Sequence, residues 1–206
     1  YSEDPLLAGE MGAAFIRGVQ SQGVGACVKH FAVNNQETNR NSINAIVDER
    51  TLREIYLKAF EIAVKKGRPV AVMASYNQVN GSFATQNKKL LTDILRNEWG
   101  FEGITVSDWS AVYDRVAAIE AGPDAEMPPS GGVGDKAIVD AVKSGKLDEK
   151  ILDETVDRIL DAVFSLDAKR KKDAAFDPAA HDELAKRAAA ESAVLLKNNK
   201  VLPLKK

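Results

Sequence analysis

The stretch GITVSDWSAV, residues 103–112, passes from a short strand-forming run directly into an acid and a tryptophan. Two interpretations of Asp108 fit this pattern. Ser and Asp side chains accept hydrogen bonds from the free amides at the start of a helix, so Ser107 and Asp108 are suited to capping one. A carboxylate at the end of a strand is equally suited to the mouth of a ligand pocket. The neighbouring segments bear on this choice.

Other apolar segments resemble GITVSDW. GACVKHF, residues 25–31, and PVAVMASYN, residues 69–77, are both too short for helices and end in polar residues. PDAEMP, residues 123–128, is a possible fourth strand end. Helical patterns lie between these segments, over residues 48–67, 87–100 and 114–122. Strands that alternate with helices at this spacing predict parallel βαβ units, and therefore an α/β fold.

The helical segments show recognisable ends and apolar faces. Asp48 is expected to cap the helix over residues 48–67 and Gly67 to stop it. A further helix over residues 4–22, with Pro5 in its first turn, is expected to bury an apolar face. That face comprises Leu7, Met11, Ala14, Phe15 and Val19. A helix over residues 148–166 is expected to face the core with Ile151, Leu152, Val156, Ile159, Leu160 and Val163.

Polar residues at the strand ends favour a barrel. They are Lys29 with His30, then Tyr76, Asp108 and Glu126. Active sites of (β/α)8 barrels form at the carboxyl ends of the strands, although an open parallel sheet binds ligands there too. About four strands are present where a closed barrel needs eight, so the sequence predicts half of a (β/α)8 TIM-type barrel.

The domain organisation follows from the same pattern. Residues 1–168 are expected to form the half barrel. A charged, proline-terminated linker over residues 169–177 follows, and residues 178–206 are expected to begin a second domain.

Composition narrows the possible partners. The 206 residues have a formal net charge of -2, so no basic field is available for a nucleic-acid backbone. No segment approaches the roughly 18 consecutive apolar residues of a membrane span. No cofactor is expected, and a metal site is poorly supported because His30 and His181 are the only histidines. Cys27 lies in an apolar segment and is expected to be a buried thiol. The sequence does not indicate a cellular compartment.

Lys29 and His30 permit several interpretations. A lysine at the end of a buried strand needs an anionic or hydrogen-bonding partner, and a neighbouring histidine adds a second donor. Together they suit a sugar or a phosphate. Pairing of Lys29 with Glu37 in the polar loop NNQETNR, residues 34–40, is the structural alternative. A lyase or aldolase that uses Lys29 as a Schiff-base amine is a second enzymatic hypothesis. For His30 alone, a hydrogen-bonded core position is the ordinary expectation.

Asp108 and Trp109 suggest carbohydrate chemistry. An aromatic ring offers a platform for the apolar face of a sugar, and a carboxylate nucleophile is central to retaining glycoside hydrolysis. That mechanism needs a second carboxyl group about 5 to 5.5 Å away to protonate the leaving oxygen. Glu37, Asp114 and Glu126 are candidates by composition only.

Five stretches together resemble glycoside hydrolase family 3 β-glucosidases, in family order and across essentially the whole chain. They are GVGACVKHFAVNNQETNR, VMASYNQVNG, GITVSDW, AGPDAEMP and LAKRAAAESAVLLKNNKVLPL. The resemblance implies that Asp108 is the catalytic nucleophile and that Tyr76 contacts it. It implies that three residues bind hydroxyl groups of the sugar, namely Lys29, His30 and Arg40. It also implies that Met73 and Trp109 line the pocket.

The resemblance also implies that this chain is the C-terminal half of the barrel with the start of a second domain, an α/β sandwich, and that other parts of the enzyme are missing. Similar enzymes carry an upstream half barrel, with an Asp and an Arg that grip the sugar, and a downstream sandwich domain that supplies the acid/base glutamate. Neither is present here, so the expected partners are those two parts of the same enzyme and a β-glucoside or oligosaccharide substrate. The implied activity is removal of terminal β-D-glucosyl residues with retention, or that of a β-xylosidase or another exo-glycosidase. The chain alone is expected to be inactive.

Overall fold

Residues 1–204, which the computed structural model of the chain describes, contain two small sheets. The strands are β1 Cys27–Phe31, β2 Asn44–Ala45, β3 Ala71–Ala74, β4 Gln78–Val79, β5 Ser82–Phe83 and β6 Ile104–Ser107. The larger sheet is parallel and has the order β1-β3-β6. Its members are the three segments predicted as strands, and a helix lies between each consecutive pair. The predicted βαβ units are therefore confirmed.

Seven helices, besides a single 3-10 turn at Ala84–Gln86, surround or follow these strands within the described part of the chain. They are α1 Pro5–Gln20, α2 over residues 49–67, α3 Lys89–Glu98, α4 Arg115–Ala121, α5 Val133–Lys143, α6 Glu149–Ala168 and α7 Pro178–Ser192. Helix α2 alternates α-helical segments, Glu49–Thr51 and Lys58–Ile62, with π-helical turns, Leu52–Tyr56 and Ala63–Gly67, and α3 is π-helical throughout.

Aspartate caps the start of five of these helices. The carboxylates accept hydrogen bonds from first-turn amides, and the residues are Asp4, Asp48, Asp114, Asp148 and Asp177. Asp108 behaves differently, because the backbone amide that its carboxylate accepts from is that of the adjacent Trp109, and the next helix begins at Arg115. The helix-cap interpretation of Asp108 is therefore wrong.

The smaller sheet was not predicted. Strand β2 pairs in parallel with β4, which forms an antiparallel hairpin with β5. The two-residue loop of that hairpin is Asn80-Gly81, and both residues have positive φ, as a type I′ turn requires. The Asn-Gly pair is the sequence signal for this hairpin.

The expected fourth strand is reduced to a single parallel bridge between Val106 and Ala125. The amide of Ser107 donates to the Ala125 carbonyl at 3.0 Å, so PDAEMP lies beside the end of β6 without forming a strand.

Helices cover one face of the larger sheet. Phe31, Val72 and Ala74 pack into the main hydrophobic core on that face. Because side chains alternate along a strand, Met73 and its partner Val106 point to the opposite face, where both are half-exposed. Cys27 is exposed on the outer strand of the sheet, so the prediction of a buried thiol is wrong.

Helix α1 packs through a different face from the predicted one. Its buried residues are Gly9, Gly12, Ala13 and Ile16, whereas Leu7, Met11 and Phe15 are about half-exposed or more. A Cβ atom on Gly9 would lie 2.7 Å from Ile62 Cβ, so the absence of a side chain lets α1 approach α2 closely. Helix α2 ends at Gly67 as expected, but the left-handed residue after it is Arg68.

The apolar face predicted for α6 is only partly correct. Ile151 and Leu152 pack against a second core cluster, but Val156, Leu160 and Val163 are exposed. The buried position of this helix is Thr155, whose hydroxyl accepts a hydrogen bond from Arg158.

The chain divides into two compact units, Tyr1–Arg170 and the residues from Lys171 onward. In the second unit α7 is followed by a segment without regular structure up to residue 204. Residues 205–206, which end the predicted second domain, lie outside the described residues. Among the helices described, none has both the length and the apolar character to cross a membrane.

A buried ion cluster holds the end of the sheet. The Asp124 side chain is fully buried and pairs with Arg96 on α3 and Arg158 on α6, each at 2.8 Å. It also accepts a hydrogen bond from the Thr105 amide on β6 at 2.6 Å. Buried charges are tolerated only when they are paired and hydrogen-bonded, and this carboxylate meets both conditions.

We expect Asp124→Asn to destabilise the first unit by about 3 kcal/mol or more, because two largely buried guanidinium groups lose their counter-charge. The measurement is urea unfolding followed by tryptophan fluorescence, since both tryptophans, Trp99 and Trp109, lie in this unit. The matched control is Asp140→Asn, which breaks an exposed pair with Lys136 on α5 and should change stability by about 0.5 kcal/mol or less. Equal losses in the two variants would contradict a structural role for the cluster.

Candidate active site

The sheet hydrogen bonds bring the three polar strand ends to one edge. The Ser75 amide donates to the Phe31 carbonyl at 2.8 Å, and the Asp108 amide donates to the Ala74 carbonyl at 3.0 Å. The pairing thus continues one residue beyond β3 and β6. The residues that follow β1, β3 and β6 therefore start from neighbouring positions at the carboxyl edge of the sheet.

A bulge in β1 explains why two adjacent residues serve the site. Val28 pairs with Val72 and Phe31 pairs with Ala74, so Lys29 and His30 together face the single residue Met73. One extra residue in a strand interrupts the alternation of side chains. Val28 and Phe31 both pack against the main core, and Lys29 and His30 lie between them in the bulge.

Asp108 is the best-connected polar side chain at this edge. The residue is 8% exposed. His30 Nε2 lies 3.4 Å from Asp108 Oδ2, and the Trp109 amide donates to Oδ1 at 2.7 Å. The Tyr76 phenol lies close enough to the carboxylate for Asp108 to shift its pKa, so the structure brings His30, Tyr76 and Asp108 together.

Burial shifts the pKa of both neutral partners. Burial lowers the pKa of His30 below its ordinary value, although the Asp108 carboxylate opposes that shift, and Lys29 adds to it. Burial, then the hydrogen bond to Asp108, raises the pKa of Tyr76. At neutral pH the Asp108 side chain thus faces an uncharged imidazole and an uncharged phenol.

Arg40 completes this cluster from the polar loop. Its guanidinium carbon lies 4.4 Å from the centre of the Tyr76 ring, an arrangement typical of a cation–π contact. Its Nη1 atom pairs with Glu37 Oε2 at 2.6 Å. The alternative pairing of Lys29 with Glu37 is therefore not the one formed, because Arg40 and Asn34 contact this carboxylate.

The remaining predicted residues lie around the cluster. Met73 is half-exposed on β3 at the open face, directly opposite the Lys29-His30 bulge. Trp109 follows Asp108 and is 60% exposed, so its ring is accessible to a ligand. Lys29 is exposed on β1.

The carboxyl groups proposed by composition serve other roles. Asp114 caps α4, Glu126 lies 3.9 Å from Arg115, and Glu37 pairs with Arg40. None of them hydrogen-bonds to Asp108 among the contacts of residues 1–204.

Ser107 was missed as a site-forming residue. Its hydroxyl accepts from the Met127 amide at 2.8 Å, and the Ser110 amide donates to the Met127 carbonyl at 2.7 Å. Met127 thereby bridges the residues on either side of Asp108 and Trp109. The sequence signal for this role is the serine immediately before the acid, a residue that is equally suited to capping a helix.

Metal ligation has no support in this region. Within the described residues, no group of three or more His, Cys, Asp or Glu side chains is arranged to hold a metal ion.

The fold and site define an α/β protein of the barrel class, with an acid at a strand end beside a cation, a phenol and an imidazole. Residues 1–162 match the N-terminal domain of glycosyl hydrolase family 3, and the chain belongs to that family. The resemblance is confirmed, as is the prediction of a partial (β/α)8 TIM-type barrel.

Relatives of known name agree with this assignment. The chain is 58% identical to thermostable beta-glucosidase B of Acetivibrio thermocellus, over all of this chain and 27% of that protein. It is 50% identical to an exo-alpha-(1->6)-L-arabinopyranosidase of Bifidobacterium breve, over 99% of this chain and 27% of that protein. The structure of beta-glucosidase 3B from Thermotoga neapolitana in complex with glucose superposes with a TM-score of 0.93 and 48% identity. That match covers all of this chain and 30% of the other. The chain thus spans about a quarter of the length of its curated relatives.

The charges around His30 predict opposite responses to two substitutions. Asp108→Asn removes the group that raises the pKa of His30, so the pKa should fall further. Lys29→Met removes a group that lowers it, so the pKa should rise. NMR titration of the His30 ring protons measures both shifts. Lys143→Met, at an exposed position on α5, is the control and should leave His30 unchanged.

The same shift sets the sign of a pH effect on stability. Because folding lowers the pKa of His30, the folded chain binds this proton more weakly than the unfolded chain. This contribution to stability is complete above pH 6.5, the ordinary pKa of histidine, and is lost as the pH falls through the pKa of His30 in the folded chain.

The NMR titrations would contradict this electrostatic account if the pKa of His30 shifted in the same direction in Asp108→Asn and Lys29→Met.

Proposed function

We propose that this chain supplies the nucleophile and part of the sugar-binding subsite of a retaining exo-acting β-glucosidase. The observation that carries the proposal is the Asp108 carboxylate, held at a strand end between the Trp109 amide and the His30 imidazole, next to the exposed ring of Trp109. Family membership and two β-glucosidase relatives support it.

In the first step an oxygen of Asp108 attacks the anomeric carbon. The bond between that carbon and the glycosidic oxygen breaks, and its electron pair stays on the oxygen, which takes a proton from an acid outside this chain. In the second step water attacks the same carbon, gives its proton back to the group that acted as the acid, and displaces Asp108, which regains its carboxylate. Two inversions give net retention.

The partners of Asp108 would orient it for this attack. The Trp109 amide holds Oδ1, and His30 lies against Oδ2. Tyr76 donates a hydrogen bond, which fixes the carboxylate while leaving its charge in place. We propose that Lys29, His30 and Arg40 bind sugar hydroxyl groups, because Lys29 and Arg40 both act on His30, which contacts Asp108. We also propose that Met73 and Trp109 contact the faces of the sugar ring.

The domain division is also a proposal. Residues 1–168 would form the barrel portion, residues 169–177 the linker, and residues 178–206 the start of a sandwich domain. The acid/base group and the other barrel half would come from further parts of a longer enzyme, since the chain covers 27% of its relatives.

The Schiff-base hypothesis has less support. A lysine becomes nucleophilic when burial or a neighbouring cation frees its amine from a proton. Lys29 is exposed on the outer strand. Borohydride trapping with a carbonyl substrate would label Lys29 if that hypothesis held.

The identity of the sugar has a second candidate. The arabinopyranosidase relative is 50% identical to this chain, so a closely similar sequence occurs in an enzyme named for a different sugar. L-Arabinopyranose lacks the exocyclic hydroxymethyl group of glucose. Comparing kcat/KM for aryl β-D-glucoside, β-D-xyloside and α-L-arabinopyranoside distinguishes these sugars.

The chain can be tested inside a complete catalytic framework. We exchange it for the matching segment of the Thermotoga neapolitana enzyme, with which it shares 48% identity. The folded chimera should hydrolyse an aryl β-glucoside, and an activated 2-deoxy-2-fluoro glucoside should label Asp108. Asp108→Asn should lower kcat by more than about a thousand-fold. Asp140→Asn is the control and should retain activity.

Two results would contradict the proposal. One is labelling of another carboxylate, and the other is an Asp108→Asn chimera that remains active. The 206-residue chain alone should not turn over the substrate, because no second carboxyl group contacts Asp108 among residues 1–204. Turnover by the chain alone at rates typical of enzymes, about 1 per second or faster, would show that the acid lies within it.

A further inference from the structure

Tyr113 connects the loop that follows Asp108 to the loop that carries Arg40. Its hydroxyl donates a hydrogen bond of 2.7 Å to the carbonyl of Asn41. Asn41 immediately follows Arg40, and Tyr113 lies five residues after Asp108, between β6 and α4. The contact therefore spans the two segments that supply the acid and the cation of the site.

The Tyr113 ring is itself fixed in place. It stacks on Phe83 of β5, with ring centres 4.1 Å apart and an interplanar angle of 29°. Stacking of this kind favours one orientation of both rings. The hydroxyl is thus aimed at Asn41 by a contact that does not involve the Arg40 loop.

The small sheet holds the same loop from its other side. The Gln78 amide donates to the Ile43 carbonyl at 2.9 Å, and Asn44 pairs with Gln78 in the β2–β4 ladder. Phe83 belongs to the strand that pairs with β4. One hairpin therefore supports the loop directly at residues 43–44 and, through Tyr113, at residue 41.

Arg40 has few contacts that fix it independently. Its guanidinium is 43% exposed and touches Glu37, itself 68% exposed, and the face of Tyr76. Exposed ion pairs contribute little to holding a side chain in place. The direction of the Arg40 side chain consequently depends on the backbone of residues 40–41, which Tyr113 anchors.

We infer that Tyr113 is a positioning residue, which sets the distance between Arg40 and Asp108 and thereby tunes sugar binding. This inference rests on the proposed glycosidase function. In a site where a displacement of about 1 Å in a binding group has large effects on rate, one anchoring hydroxyl is enough to matter.

The test separates positioning of Arg40 from general stability. In the chimera described above, Tyr113→Phe removes the hydroxyl but keeps the ring stacked on Phe83. We expect about a five-fold fall in kcat/KM, the value of one hydrogen bond. Glucose affinity should weaken by a similar factor. In an Arg40→Ala background the same change should have almost no further effect.

Thr92→Val is the matched control. Thr92 also donates its hydroxyl to a backbone carbonyl, that of Ala121 at 2.8 Å, but it joins α3 to α4. The substitution should leave kcat/KM and glucose affinity unchanged. Amide hydrogen exchange at Ser42 and Ile43, which donate to the Asn39 carbonyl, should accelerate in Tyr113→Phe and not in Thr92→Val.

The outcomes distinguish this inference from the proposed function. If the unmodified chimera is folded but does not hydrolyse glucosides, the proposed function fails. Hydrogen exchange in the 206-residue chain then decides whether Tyr113 anchors the loop, and unchanged exchange overturns the inference. If the chimera is active, an undiminished effect of Tyr113→Phe in the Arg40→Ala background overturns it.

Discussion

The charge cluster at Asp124 is the constraint on which the working edge of this fold depends. One buried carboxylate joins Arg96 of α3, Arg158 of α6 and the backbone of β6. Asp124 also begins the segment over residues 124–127, which hydrogen-bonds to Ser107 and Ser110 on either side of Asp108. The interaction that secures two helices to the sheet therefore also fixes the main chain around the site. Because burial without full pairing would be unfavourable, the three charged groups specify one arrangement of these elements.

The architecture was readable because the strands and helices carry local signals. GACVKHF, PVAVMASYN and GITVSDW all form strands of one parallel sheet. Asp48 caps the start of α2 and Asp114 caps the start of α4. The helix faces were less readable. Leu7, Phe15 and Leu160 belong to apolar stripes, yet these side chains are exposed. Neighbouring β/α units pack side by side in a barrel, so helices α1 and α6, at the two ends of a partial barrel, each have one neighbour fewer. The spacing of apolar residues predicts which face of a helix is apolar, but it does not predict which element packs against that face.

Site residues were foreseen where they end strands and missed where they support others. Lys29, His30, Tyr76 and Asp108 stand out because polar residues interrupt apolar runs. The bulge that places both Lys29 and His30 opposite Met73 has no sequence signal of its own, since it depends on pairing with β3. Tyr113 gave no signal either, because its role arises from a contact with Asn41, 72 positions away. Long-range contacts of this kind follow from the tertiary fold and not from local pattern.

The two buried aspartates show how environment assigns different roles to one residue type. Asp124 is paired with two guanidinium groups at 2.8 Å, which neutralise its charge and occupy both of its oxygens. Asp108 contacts an imidazole whose pKa is lowered by burial and a phenol, while no Lys or Arg lies within ion-pairing distance of it in residues 1–204. The negative charge of a carboxylate with neutral partners is not compensated and favours attack, whereas the two guanidinium groups compensate the charge of Asp124. Arg40 reaches the cluster only over the face of Tyr76, close enough to bind a sugar hydroxyl without cancelling the charge on Asp108. Under the proposed function, the distance that Tyr113 helps to maintain between these two groups would preserve the charge of Asp108 as well as position the sugar.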